Sequence, residues 1–159
     1  MGAGELSDVR CGAHILLVED SVDSAEFVRQ VLEEEGYRLT WAETADAALA
    51  ALRESRSGRR NGEVTRGPDL VLLDLTLPDM NVATFVDEIR GLAGPQLPLV
   101  IVSALPPAAI DAAAGAVNAA AVIRKPFLID SLLGTVADVL ALGVGQGLPA
   151  EMSQSQLRP

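Results

Sequence analysis

Cysteine, lysine and histidine each occur once in the 159 residues, at Cys11, Lys125 and His14. A single cysteine excludes an internal disulfide and fits a reducing compartment. His14 opens an apolar stretch with no second ligand pattern around it, so it reads as structural and not as a metal ligand. Positive charge is scarce: the formal net charge is -10, which argues against phosphate-driven binding of nucleic acid or anionic lipid. No long apolar run is present either. The longest nearly uncharged stretch, Ser131 to Leu148, carries Asp138 and four glycines, so no membrane span is expected. The opening Met1-Gly2-Ala3-Gly4-Glu5-Leu6 lacks the apolar core of a secretory signal, and Leu6 stands where a myristoylation site wants Ser or Thr. A soluble, cytoplasmic protein is the expectation, with no direct nucleic-acid or membrane partner.

What is present is an apolar share of 49%, enough for one domain to bury a full core. Its most informative piece is Leu70-Val71-Leu72-Leu73-Asp74. The breakers Gly67-Pro68 and Pro78 leave room there for a strand covered on both faces, but not for a helix. His14 to Val18, Tyr37 to Ala42, Leu99 to Val102 and Ala121 to Ile123 read as four further strands. Between them, helical spacing predicts segments from Ser21 to Glu35, from Thr44 to about Glu54, from Asn81 to Arg90, and from Pro106-Pro107 to Asn118. A last helix is expected from about Leu128 to Leu142. Ser55 to Gly67, with arginines at 56, 59, 60 and 66 after Arg53, reads as a solvated loop. The expected organisation is a loose leader at 1–12, one folded domain at 13–143 and a disordered tail at 144–159. Helical crossovers between buried strands predict a parallel, doubly wound α/β sheet. Gly143 to Gly147 follows a helix and not a strand, so it is rejected as a nucleotide loop.

Four strands are followed at once by a polar group: Glu19-Asp20, Asp74, Ser103 and Lys125. In a doubly wound sheet those carboxyl ends lie along one edge. Clustered carboxylates repel and need a counter-charge, which a hard divalent cation such as Mg²⁺ supplies through oxygen ligands. A carboxylate nucleophile, a Mg²⁺ site, a lysine and a hydroxyl are the parts needed to take up and hold a phosphoryl group.

The paired acids after strand one, the D-x-x-x-P of Asp74 to Pro78, the Ser103-Ala104 pair and the K-P-F of Lys125 to Phe127 together resemble the receiver domain of bacterial two-component response regulators. The similarity covers about His14 to Leu142. It implies a flavodoxin-like, three-layer α/β/α fold with strand order 2-1-3-4-5. It also implies that Asp74 accepts a phosphoryl group from a sensor histidine kinase or phosphotransfer protein. In the family's pattern Asp20, Asp74 and the backbone carbonyl of Thr76 would bind Mg²⁺, with Glu19 acting through water. Lys125 would pair first with the acceptor and then with the phosphoryl oxygen, Ser103 would bond that oxygen, and the Lys125–Pro126 bond would be cis.

Three positions depart from the family. Glu19 replaces the commoner Asp, Val82 replaces a Gly in the loop after Pro78, and Val122 stands three before the lysine, where Tyr or Phe is usual. The alternative is therefore a phosphorylation-independent pseudo-receiver acting as an interaction module. A haloacid-dehalogenase-like phosphatase also uses a strand-end Asp, but it wants a second acid where this chain has Thr76. Nothing after Leu142 is long enough to fold as a DNA-binding module, so a stand-alone receiver without an output domain is expected. The sparsely charged fourth and fifth helices are expected to meet a downstream protein or a second copy of the chain.

Overall fold

The fold follows from alternation along five short strands. A computed structural model describes residues 12–56, 59–60, 63–64, 67–77 and 80–144. The strands are β1 (His14–Val18), β2 (Arg38–Ala42), β3 (Leu70–Asp74), β4 (Leu99–Ser103) and β5 (Ala121–Arg124). They form one parallel sheet in the order β2-β1-β3-β4-β5. The helices are α1 (Val22–Glu34), α2 (Ala45–Arg56), α3 (Val82–Ala93), α4 (Pro107–Val117) and α5 (Ile129–Val144).

Successive strand side chains point to opposite faces, so each apolar strand feeds two cores. Leu16, Val18, Val71, Leu73, Leu99 and Ile101 pack on one face against α2, α3 and α4, through residues such as Leu52, Phe85, Ile89 and Ile110. Their neighbours Ile15, Leu17, Leu70, Leu72, Val100 and Val102 pack on the other face against α1 and α5, through Val28, Leu32, Leu132 and Val136. β3 and β4 are buried along their whole length, whereas the outer strands β2 and β5 are only partly covered. The five-strand, doubly wound sheet expected from the sequence is the one observed.

Helix starts follow their caps. Ser21, Thr44 and Asn81 each accept a hydrogen bond from the backbone N–H three residues on, satisfying a donor that the first turn leaves free. α1 gives way to Gly36 at φ +94°, and α4 ends at Asn118 in the left-handed region. His14 is structural, as expected: its ring nitrogen meets the Thr40 hydroxyl at 2.7 Å, and its backbone pairs with Asp69.

Several boundaries differ from the sequence reading. α3 continues past Arg90 to Ala93 and ends at Gly94, φ +101°. α5 runs to Val144 and so through Gly143, because one glycine weakens a helix by only about 1 kcal/mol and does not end it. The expected loop at 55–67 contains a two-residue antiparallel pair, Arg59–Arg60 with Glu63–Val64, too short to show a period of two. Cys11, Pro78, Arg66, the leader up to residue 11 and the tail from 145 lie outside the described residues. Among the described residues, no helix is long and apolar enough to cross a membrane.

Candidate functional site

The carboxyl ends of β1, β3, β4 and β5 place Glu19, Asp20, Asp74, Ser103 and Lys125 along one edge of the sheet. Asp74 is the last residue of a fully buried strand and is itself only 3% exposed. Glu19 is equally buried, Ser103 is completely buried, and Asp20 faces solvent. One carboxylate oxygen from each of Glu19, Asp20 and Asp74 lies within 4.8 Å of the other two. At an effective dielectric of about 20, two ionised carboxylates at that separation repel by roughly 3 kcal/mol. The cluster therefore needs positive charge.

Lys125 supplies part of it. Its Nζ donates to Glu19 Oε1 at 2.9 Å and to Asp74 Oδ2 at 3.1 Å, across 106 and 51 residues of chain. The other Asp74 oxygen accepts from Thr76, through its backbone N–H at 2.9 Å and its hydroxyl at 2.7 Å. The Lys125 N–H donates to the Ser103 carbonyl at 2.9 Å, which ties the ends of β4 and β5 together. The Ser103 hydroxyl accepts from the Leu105 N–H at 3.1 Å. The Lys125–Pro126 peptide is cis.

The two buried carboxyls and the half-buried lysine shift in ways that their contacts explain. Burial pushes the Glu19 carboxyl above its ordinary value, and neighbouring Asp74 pushes the same way against the partial relief from Lys125. Burial alone would also raise Asp74. Its contact with Glu19, the two Thr76 donors and Lys125 outweigh that and hold it below the ordinary value. Burial would lower Lys125, but the two carboxylates overcome it and hold the ammonium form. Of the two buried carboxyls, Asp74 is the one whose contacts favour the charged form.

All five residues singled out at strand ends meet at this edge, and Thr76 bonds Asp74 directly. Two participants were not anticipated. The Thr76 hydroxyl acts as a donor to Asp74, where only its carbonyl was expected to matter. Trp41, on the second strand, donates its indole N–H to the Glu19 carbonyl at 2.7 Å. The signal that would have found it is general: a partly buried indole nitrogen seeks an acceptor. Val82 starts α3 and is half-buried against the α2–α4 core, as is Val122 on β5.

Residues 15–137 match the family model of the response regulator receiver domain. The chain belongs to the response regulator receiver domain family. This receiver is 32% identical over 119 residues to the KDP operon transcriptional regulatory protein KdpE of Escherichia coli, a match that covers 75% of this chain and 47% of that protein. The probable transcriptional regulatory protein TcrX of Mycobacterium tuberculosis is 32% identical over 120 residues, covering 75% and 46%. The chain thus spans about half the length of the curated relatives it matches. Among solved structures, the receiver domain protein of Methanospirillum hungatei superposes with a TM-score of 0.72 at 25% identity, over 86% of this chain and 99% of that one. The non-phosphorylated HemR receiver domain of Leptospira biflexa does so at 0.63 and 32%, over 82% and 95%.

Proposed function

We propose that this receiver is phosphorylated on Asp74 by a phosphohistidine of a sensor kinase or phosphotransfer protein, and that the added charge switches a protein-binding face. The observation that carries this reading is the buried Asp74 carboxylate, held on one oxygen by Thr76 and on the other by Lys125, with two more acids beside it. In the transfer, an Asp74 oxygen forms a bond to phosphorus as the donor's N–P bond breaks, and the departing imidazole takes up a proton. Lys125 then exchanges Asp74 Oδ2 for a phosphoryl oxygen, and the Ser103 hydroxyl donates to another.

The donor set fits Mg²⁺: hard oxygens, three acids and a single ammonium. Glu19, Asp20, Asp74 and the Thr76 carbonyl would hold it. When bound, it neutralises charge on the phosphoryl oxygens. The protein acts as a phosphoacceptor with at most intrinsic Mg²⁺-dependent autophosphorylation and autodephosphorylation.

An apolar hollow of about 480 Å³ beside Lys125, lined by Phe27, Val28, Pro126 and Phe127, suits a donor protein approaching Asp74. Phe27 is 43% exposed there and packs against Phe127 at 6.2 Å between ring centres. The relatives named as transcriptional regulators are about twice as long as their matched part. The net charge of -10 argues that the receiver's own output is a protein contact and not nucleic acid. The outer face of α4, with Ala108, Ala109, Ala112 and Ala116 exposed and only Asp111 charged, suits a downstream protein or a second copy of the chain.

A second reading, the phosphorylation-independent interaction module, is favoured by Val122. It provides no ring to move when Ser103 moves. Incubation with acetyl phosphate and Mg²⁺ separates the two. The first expects wild type to gain the mass of one phosphoryl group and Asp74→Ala to gain none; unmodified wild type supports the second.

A further inference from the structure

Successive side chains of a strand project to opposite faces. Glu19 directly follows β1 and Asp20 follows Glu19, so continued strand geometry would send their carboxylates to opposite sides of the sheet. Both instead lie within 4.8 Å of an Asp74 oxygen. The chain bends at Asp20 just past β1, so strand alternation stops there, and the orientation of the Glu19–Asp20 peptide bears on whether one hollow receives both acids.

That peptide's carbonyl belongs to Glu19, and it accepts from Trp41 Nε1 at 2.7 Å. The peptide before it is held too: the Glu19 N–H, of the Val18–Glu19 peptide, donates to the Ala42 carbonyl at 3.0 Å. The second bond is made by backbone alone, so any residue at 42 except one that distorts β2 preserves it. The first needs a side-chain donor at 41. Trp41 pairs with Leu17 in the β1–β2 register and packs half-buried on the α1–α5 core. Its ring is fixed by that packing, and its N–H is aimed.

We infer that Trp41 is a positioning residue for the divalent-cation site: its indole N–H holds the Glu19–Asp20 peptide in the orientation that turns both carboxylates toward Asp74. The inference rests on the Mg²⁺ reading above. Trp41 would act through the Glu19 carbonyl and not as a ligand.

Calorimetric titration of Mg²⁺ into the full chain tests it, with thermal melting measured on the same samples. Trp41→Phe keeps a ring and removes the donor. It is expected to raise the Mg²⁺ Kd by about tenfold, the lower end of what loss of a partner behind a metal ligand produces. Leu39→Ala, on the same strand, loses packing without touching Glu19 and is expected to keep the wild-type Kd despite a lower Tm. A Trp41→Phe protein with the wild-type Kd overturns the inference. So does a Leu39→Ala protein whose Kd rises equally, because packing then explains the effect. Should Trp41→Phe fail to fold, 3-benzothienylalanine at position 41 preserves the ring shape with sulfur in place of N–H. The same tenfold loss is expected there, and an unchanged Kd overturns the inference. Wild type that binds no Mg²⁺ at millimolar concentration removes the ion reading itself and this inference with it, a result distinct from binding that ignores position 41.

Discussion

Glu19 and Asp74 are equally buried and share one lysine, yet their carboxyl groups shift in opposite directions. The difference lies in donors: Asp74 has two from Thr76 besides Lys125, while Glu19 has Lys125 and a long 3.3 Å contact from the Ser21 N–H. A group whose folded-state value is raised stabilises the fold below its unfolded value and loses that contribution as pH rises through the folded value. Ionised Glu19 therefore weakens the metal-free protein at neutral pH and above. Glu19→Gln is expected to stabilise it there by on the order of 1 kcal/mol, with no gain below pH 4.5, the ordinary value for a glutamate. Chemical denaturation at pH 8 and pH 4 checks this. Lys125→Met does the reverse. Stranding two buried carboxylates is expected to cost about 2 kcal/mol without metal, below the usual figure for a broken buried pair because Lys125 is partly exposed. Millimolar Mg²⁺ should recover much of the loss in the same denaturation experiment. The strand-end acids and the lone lysine were legible in the sequence, because unlike residues ending apolar runs stand out. The Thr76 hydroxyl and the Trp41 indole were not, since neither residue type is unusual where it sits and both roles depend on partners placed by the fold.

At the scale of elements, capping was legible and bridging was not. Asn118 ends α4 at φ 58°, a conformation that costs most side chains roughly 1–2 kcal/mol. Asn118→Ala is expected to lower stability by about that amount and Asn118→Gly to be close to neutral, read as shifts in denaturation midpoint. Arg90 was expected to end α3. It sits a turn earlier, and its guanidinium donates to the carbonyls of Val117 and Asn118 at the end of α4. The positive group at that helix end also meets the favourable dipole. Such a contact spans 27 residues and leaves no local pattern. Arg90→Met is expected to cost about 1.5–3 kcal/mol, the range for charged hydrogen bonds, and to raise hydrogen exchange selectively in the last turn of α4.

For the whole molecule, parallel order follows from buried strands alternating with helices, and the strand-end chemistry converges because that order puts every carboxyl end on one edge. The short pair at 59–64 escaped notice because two residues per strand carry no periodicity. If the α4 face reads out the signal, sedimentation with beryllofluoride and Mg²⁺ should show association that Ala112→Glu abolishes. A strict monomer in both conditions would remove self-association and leave a separate partner as the target. The most direct test of the central claim is the address of the phosphoryl group. Protein treated with acetyl phosphate and Mg²⁺, then reduced with borohydride and mapped by peptide mass spectrometry, is predicted to carry homoserine at position 74 and at no other aspartate. Conversion at Asp20 instead, or at no position, would contradict it.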